Sequence, residues 1–134
     1  MASDLLGSPV AFALTGSEKY AGTPEITDVH YDLWMLRVTL SFGHDHPPVY
    51  VSFDGIRGIR VLDEGDLLEF WNSESRPDGW LWRVESGGWI ALERCRDGFV
   101  SGSDDEYKEY LIVGVDDCVS VIAYDDPEIQ VPTP

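Results

Sequence analysis

Bases are scarce in this chain. Of its 134 residues, nine are Lys or Arg against 25 Asp or Glu, a formal net charge of -16. That deficit argues against a surface that grips phosphate: such a chain repels nucleic-acid backbones and anionic lipid headgroups, and attracts basic proteins. Cysteine is nearly absent. Cys95 and Cys118 are too few for a disulfide framework and match no metal-binding spacing, so two free thiols are expected. No apolar run approaches the roughly 18 residues of a membrane span. The opening stretch from Met1 to Leu14 carries Asp4 where a secretory leader has bases, and Gly7 and Pro9 interrupt its apolar residues. The expectation is a cytoplasmic protein that makes no membrane contact and has its thiols reduced.

Apolar residues are plentiful: 43% of the chain is hydrophobic and 12% aromatic, enough to bury a core, so a folded domain is expected in place of a disordered acidic tail. The length fits one domain over residues 1–134. Its ends read as loosely ordered, about 1–8 and 126–134, the second because prolines crowd "DDPEIQVPTP".

Most of the middle alternates with period two, the signature of half-buried strands. In "LWMLRVTLSF", Trp34, Leu36, Val38, Leu40 and Phe42 share one face, and Arg37, Thr39 and Ser41 the other. "GHDHPP" is a turn by composition, and "VYVSF" returns as the partner strand. A further strand is expected near Ile56 to Leu62. One short helix is expected over 63–72, where Asp63 offers an N-cap and Leu67, Phe70 and Trp71 fall on one side. Beyond it, "WLWRV" and "WIALER" read as a hairpin across "SGG". "YKEYLIVGV" and "CVSVIAY" read as another, across Asp116 and Asp117. The predicted fold is mainly β: antiparallel hairpins forming a curved sheet or partly open barrel, with one short helix.

Four of the five tryptophans (Trp71, Trp80, Trp82 and Trp89) lie within 19 residues that hold no histidine or cysteine. Apolar groups on both faces of a strand mean either cover on both sides or one adhesive face. The packing explanation is the simpler one, since aromatic cross-strand pairs stabilise sheets. The functional alternative makes a tryptophan an interface anchor. Trp80, beside the "RPDG" loop, is the candidate.

No catalytic constellation stands out, and an enzyme is not expected. His44 and His46 could face the same way on an extended segment, but no third metal ligand is evident, and a solvated turn is the plainer reading. Cys118 sits among Val119, Val121 and Ile122, as a small buried hydrophobe does. "GIRGIR" lacks the lysine and the strand–helix context of a phosphate loop. "SGSDDE" lacks the ligand alternation of a calcium loop. Neither a metal nor another cofactor is called for.

The strongest remaining signal is late acidity. From Ser101 to Glu128 there are nine acids and one base, half of the net charge. The candidate partner-binding residues are Asp104, Asp105 and Glu106 in one loop, Asp116 and Asp117 at a hairpin tip, and Trp80. A small acidic chain carrying "FDGIRGIRVLDEGDLLEFW", "GGW" and "EYLIVGVDDCVSV" resembles bacterial immunity proteins of polymorphic-toxin and contact-dependent growth inhibition systems. The resemblance implies a cytosolic protein that binds and neutralises a cognate toxin domain, often a basic nuclease. It assigns no residue a role. Two alternatives stay open: a small-molecule-binding β-barrel or minor enzyme with a tryptophan-lined pocket, and an acidic mimic of nucleic acid.

Overall fold

The computed structural model describes residues 10–63, 79–93 and 107–131. Nine strands run in the order β1 (Val10–Ala13), β2 (Glu25–Tyr31), β3 (Met35–Ser41), β4 (Val49–Asp54), β5 (Ile56–Asp63), β6 (Leu81–Ser86), β7 (Lys108–Val113), β8 (Asp117–Ala123) and β9 (Glu128–Gln130). A short helix, α1 (Trp89–Glu93), follows β6. The strands form two antiparallel sheets: five strands in the order β1-β6-β7-β8-β5, and four in the order β2-β3-β4-β9. The fold is mainly β, as expected, and the sheets do not close into a barrel.

One core lies between the sheets. The four-stranded sheet supplies Leu36, Val38 and Leu40 from β3 and Val49, Val51 and Phe53 from β4. The five-stranded sheet answers with Leu81, Tyr110, Ile112, Val119, Val121 and Ala123. The period-two pattern explains this division. Leu36, Val38 and Leu40 are fully buried, while Arg37 stays exposed on the opposite face. The second face of the five-stranded sheet is also apolar: Trp82, Val84, Leu111, Val113 and Cys118 are buried there. The doubly apolar tryptophan strand is therefore covered on both sides, as the packing reading requires.

Several local expectations change. "WIALER" is not a returning strand, since Trp89–Glu93 is helical. Alternation over so few residues cannot separate strand from helix, and the deciding contact is remote: the Glu109 carboxylate holds the amides of Trp89 and Ile90. β6 instead pairs with β1 and β7. The C-terminal segment, read as loose from residue 126, contains β9. Between its flanking prolines, Glu128–Gln130 pairs with β4, and Ile129 packs on the core. Trp34 does not continue the buried face of β3. The strand begins at Met35, and Trp34 occupies the preceding turn. The helix expected over 63–72 lies outside the described residues except for Asp63, which ends β5.

Two strands had no clear sequence signal. β1 is short and lies on an edge. In β2 the pairing register shifts between Ile26 and Asp28. The irregularity places Ile26 and Val29, three apart, against the same core, which erases the alternation.

Candidate functional site

The acidic hairpin tip is where the sequence placed it. Gly114 N donates to the Asp117 carbonyl at 2.8 Å and closes the β7–β8 turn, and Asp116 and Asp117 are exposed. Asp117 lies opposite Asp63 in the β5–β8 register, so three carboxylates crowd this end. Asp104, Asp105 and Glu106 lie outside the described residues. Trp80 requires correction as an anchor. It is 1% exposed, and its indole N–H donates to the Tyr20 carbonyl at 3.1 Å. Its ring packs against Phe42 and Tyr20, with centroids 5.3 and 6.4 Å away. A side chain 1% exposed, with its N–H already bonded, has no face left for a partner.

Among the described residues, the exposed tryptophan is Trp34. It is 85% exposed and Leu33 beside it 79%, with Tyr31 and Met35 also exposed. Leu33 and Trp34 occupy the turn between β2 and β3, and Tyr31 and Met35 are the strand ends that flank it. Asp32 builds that turn: its carboxylate accepts from the amides of Trp34 at 3.0 Å and Met35 at 2.8 Å, and its own amide donates to the Met35 carbonyl. The Met35 and Trp34 amides hold the Asp32 carboxyl below its ordinary value. Leu33 has φ of 76°, the one non-glycine residue in the left-handed region among the described residues. A leucine there is disfavoured by about 1–2 kcal/mol. The turn is therefore locally ordered while displaying apolar side chains to water.

Beside the tip, Met35 forms one wall of a groove of about 220 Å³ whose other walls are Ser52, Asp54, Asp125, Asp126, Glu128 and Gln130. Asp126 accepts from the Tyr110 hydroxyl, which ties the loop before β9 to the core. Burial, then Asp126, pushes that phenol up. Among the described residues, no cation forms an ion pair with Asp54, Asp125, Asp126 or Glu128. The nearby bases are otherwise engaged: Arg37 lies over the Tyr50 ring at 4.8 Å, and Arg57 Nε donates to the Tyr107 hydroxyl. This end of the molecule pairs an apolar projection with carboxylates that have no ion-pair partner among the described residues. It lies at the far end of β2 from Asp116 and Asp117, because Val115 N donates to the carbonyl of Pro24, just before β2 begins.

A second cluster surrounds Glu109. This carboxylate is 5% exposed, and it accepts from Trp89 N at 2.9 Å and Ile90 N at 2.8 Å, capping α1 from a neighbouring strand. Burial pushes its pKa up, while the Ile90 and Trp89 amides and the Arg60 charge oppose the rise. Arg60 lies over the Trp89 ring at 4.9 Å, and Trp89 Nε1 donates to Glu93. Gly88 leaves no room for a Cβ in this packing without a shift of its neighbours, and Gly58 leaves little. A Cβ on Gly88 would sit 2.6 Å from Glu109 Oε2, and one on Gly58 would sit 3.1 Å from Trp89 Cη2. A cavity of about 380 Å³ opens beside it, lined among others by Arg83, Glu85, Lys108 and Glu109. Both carboxylate oxygens already accept helix amides, so the geometry is that of a structural cap.

Comparison with family models, curated proteins and solved structures gives no match for this chain. Among the described residues, neither the groove beside Met35 nor the cavity beside Glu109 has tryptophan in its lining. Among the described residues, no three His, Cys, Asp or Glu side chains come together as metal ligands, and no helix is long and apolar enough to cross a membrane. His46 packs its ring against Tyr20 and Phe42 at the edge of the aromatic cluster, at 5.7 and 6.1 Å. Sequence reasoning missed the Trp34 tip because Trp34 is in phase with Leu36, Val38 and Leu40, so the alternation runs through it without a break. The one available signal was Asp32, a turn-forming residue at the start of the run.

Proposed function

We propose that this protein is a cytosolic binding module of the immunity type, which captures and neutralises a basic toxin domain. The observation that supports it is the distribution of acid. Exposed carboxylates gather at both ends of the molecule, Asp63, Asp116 and Asp117 at one and Asp54, Asp125, Asp126 and Glu128 at the other. Those of the second group have no ion-pair partner among the described residues. Such a field accelerates encounter with a basic surface and turns away acidic ones. Trp80 and Trp82 belong to packed cores, so neither is offered as the lining of a ligand pocket.

The test is affinity capture with the full chain from the cells that make it, identification by mass spectrometry, and co-expression. A captured basic protein whose expression arrests growth, with growth restored by this chain, is the expected result. Recovery of acidic proteins or small-molecule ligands alone contradicts the proposal. Recovery of a DNA-binding protein whose nucleic-acid face is blocked, without toxicity, favours the mimic.

A further inference from the structure

We infer that the partner is anchored at the β2–β3 end of the molecule, with Leu33 and Trp34 inserted into an apolar cleft rimmed by Arg and Lys. This rests on the binding reading above and adds where the grip lies and what the partner presents. Trp34 and Leu33 are the most exposed large apolar side chains described, 85% and 79%, adjacent on one turn. A tryptophan can bury about 150–250 Å² on association, and such residues dominate interface energetics. Because Asp32 already fixes the turn through two amides, little ordering remains to be done on binding.

Charge selects the occupant. Asp32 lies within the turn, and Asp54, Asp125, Asp126 and Glu128 line the groove that Met35 borders beside it. A second copy of this chain would bring the same carboxylates against them at a net charge of -16 each, and an anionic membrane would be repelled in the same way. A protein surface with bases around an apolar cleft meets both parts, because an Arg or Lys can lay its alkyl stem along Met35 while its charge faces the groove. The β7–β8 tip differs. Among the described residues, its exposed apolar side chain is Val115 and no exposed aromatic lies beside Asp116 and Asp117, so it serves to steer and not to hold.

The experiment places a photoreactive benzoylphenylalanine at position 34 or at position 116 of the full chain in the producing cells. Crosslinked proteins are identified by mass spectrometry, and the partner is then purified for affinity measurement. Position 34 should crosslink strongly to a protein with a basic domain, and Trp34→Ala should weaken binding to that domain by at least about thirtyfold. Leu33→Gly, which relieves the left-handed backbone while removing the side chain, should also weaken it, with the circular dichroism of both variants unchanged. A basic partner crosslinked from 116 and not from 34, or unaffected by Trp34→Ala and Leu33→Gly, overturns this inference and leaves the binding reading standing. An absence of any crosslinked basic protein from either position overturns both.

Discussion

Removing the Glu109 side chain should unfasten α1. Glu109→Ala deletes the acceptor for the half-buried Trp89 amide at 2.9 Å and the buried Ile90 amide at 2.8 Å, and removes a carboxylate whose charge interacts with Arg60. Hydrogen bonds to a charged group contribute about 1.5–3 kcal/mol each, so losing the two held by this one carboxylate should cost about 3–5 kcal/mol in total. For a domain of this size that lowers Tm by roughly 10–20 °C. Glu109→Gln keeps the shape and one acceptor oxygen, but turns an amide group towards the other helix N–H, and should cost about 1–3 kcal/mol. Thermal and urea unfolding followed by circular dichroism and tryptophan fluorescence would measure both. If Glu109→Ala unfolds within about 1 kcal/mol of the parent, the carboxylate does not hold the helix, and the reasoning fails.

The pH dependence of the same group has a definite sign. A carboxyl whose pKa is raised in the fold binds its proton more tightly folded than unfolded, so its contribution to stability falls as pH rises from about 4.3 towards the raised value. The parent should lose ground against non-titrating Glu109→Gln across that window, and a gap moving in the parent's favour contradicts the assignment. Gly88→Ala should destabilise by about 1–3 kcal/mol, because its Cβ would meet Glu109 Oε2 at 2.6 Å and Val84 Cγ1 at 2.8 Å; chemical denaturation would show it. Cys118, buried between β5 and β7, should react with a thiol reagent only on unfolding, and alkylation in denaturant without reductant should label both cysteines; a two-dalton deficit in intact mass would refute this. His44→Ala should leave stability within about 0.5 kcal/mol, whereas His46→Ala should cost about 0.5–1.5 kcal/mol through its ring contacts. A chelator should change neither melting temperature.

The legible parts of the fold are those in which one sheet face is buried and the other wet. β3, β4, β7 and β8 are visible because burial alternates with residue number, or because β-branched runs meet at a short acidic turn. Elements defined by distant contacts are not visible in that way. α1 depends on a carboxylate 19 residues away, β2 on a register shift, and β9 on a sheet edge that tolerates flanking prolines. The candidate site divides likewise. Asp116 and Asp117 follow from turn chemistry. Trp34 and Trp80 exchange their expected roles because period two does not say where a strand begins. Trp34 falls one residue before β3 and projects outward. Trp80 falls one residue before β6, after Gly79 at φ of 91°, and turns into the core.

The central claim is that acid steers the partner and the Trp34 tip holds it. Association and dissociation rates of the captured partner, measured at two ionic strengths, test it directly. Reversal of Asp116 and Asp117 to Lys should slow association at least severalfold at low salt, leaving dissociation nearly unchanged. Trp34→Ala should speed dissociation with little dependence on salt. If Trp34→Ala leaves the dissociation rate unchanged and charge reversal leaves the association rate unchanged at low salt, the acidity is only solubilising surface and the tip is not the anchor.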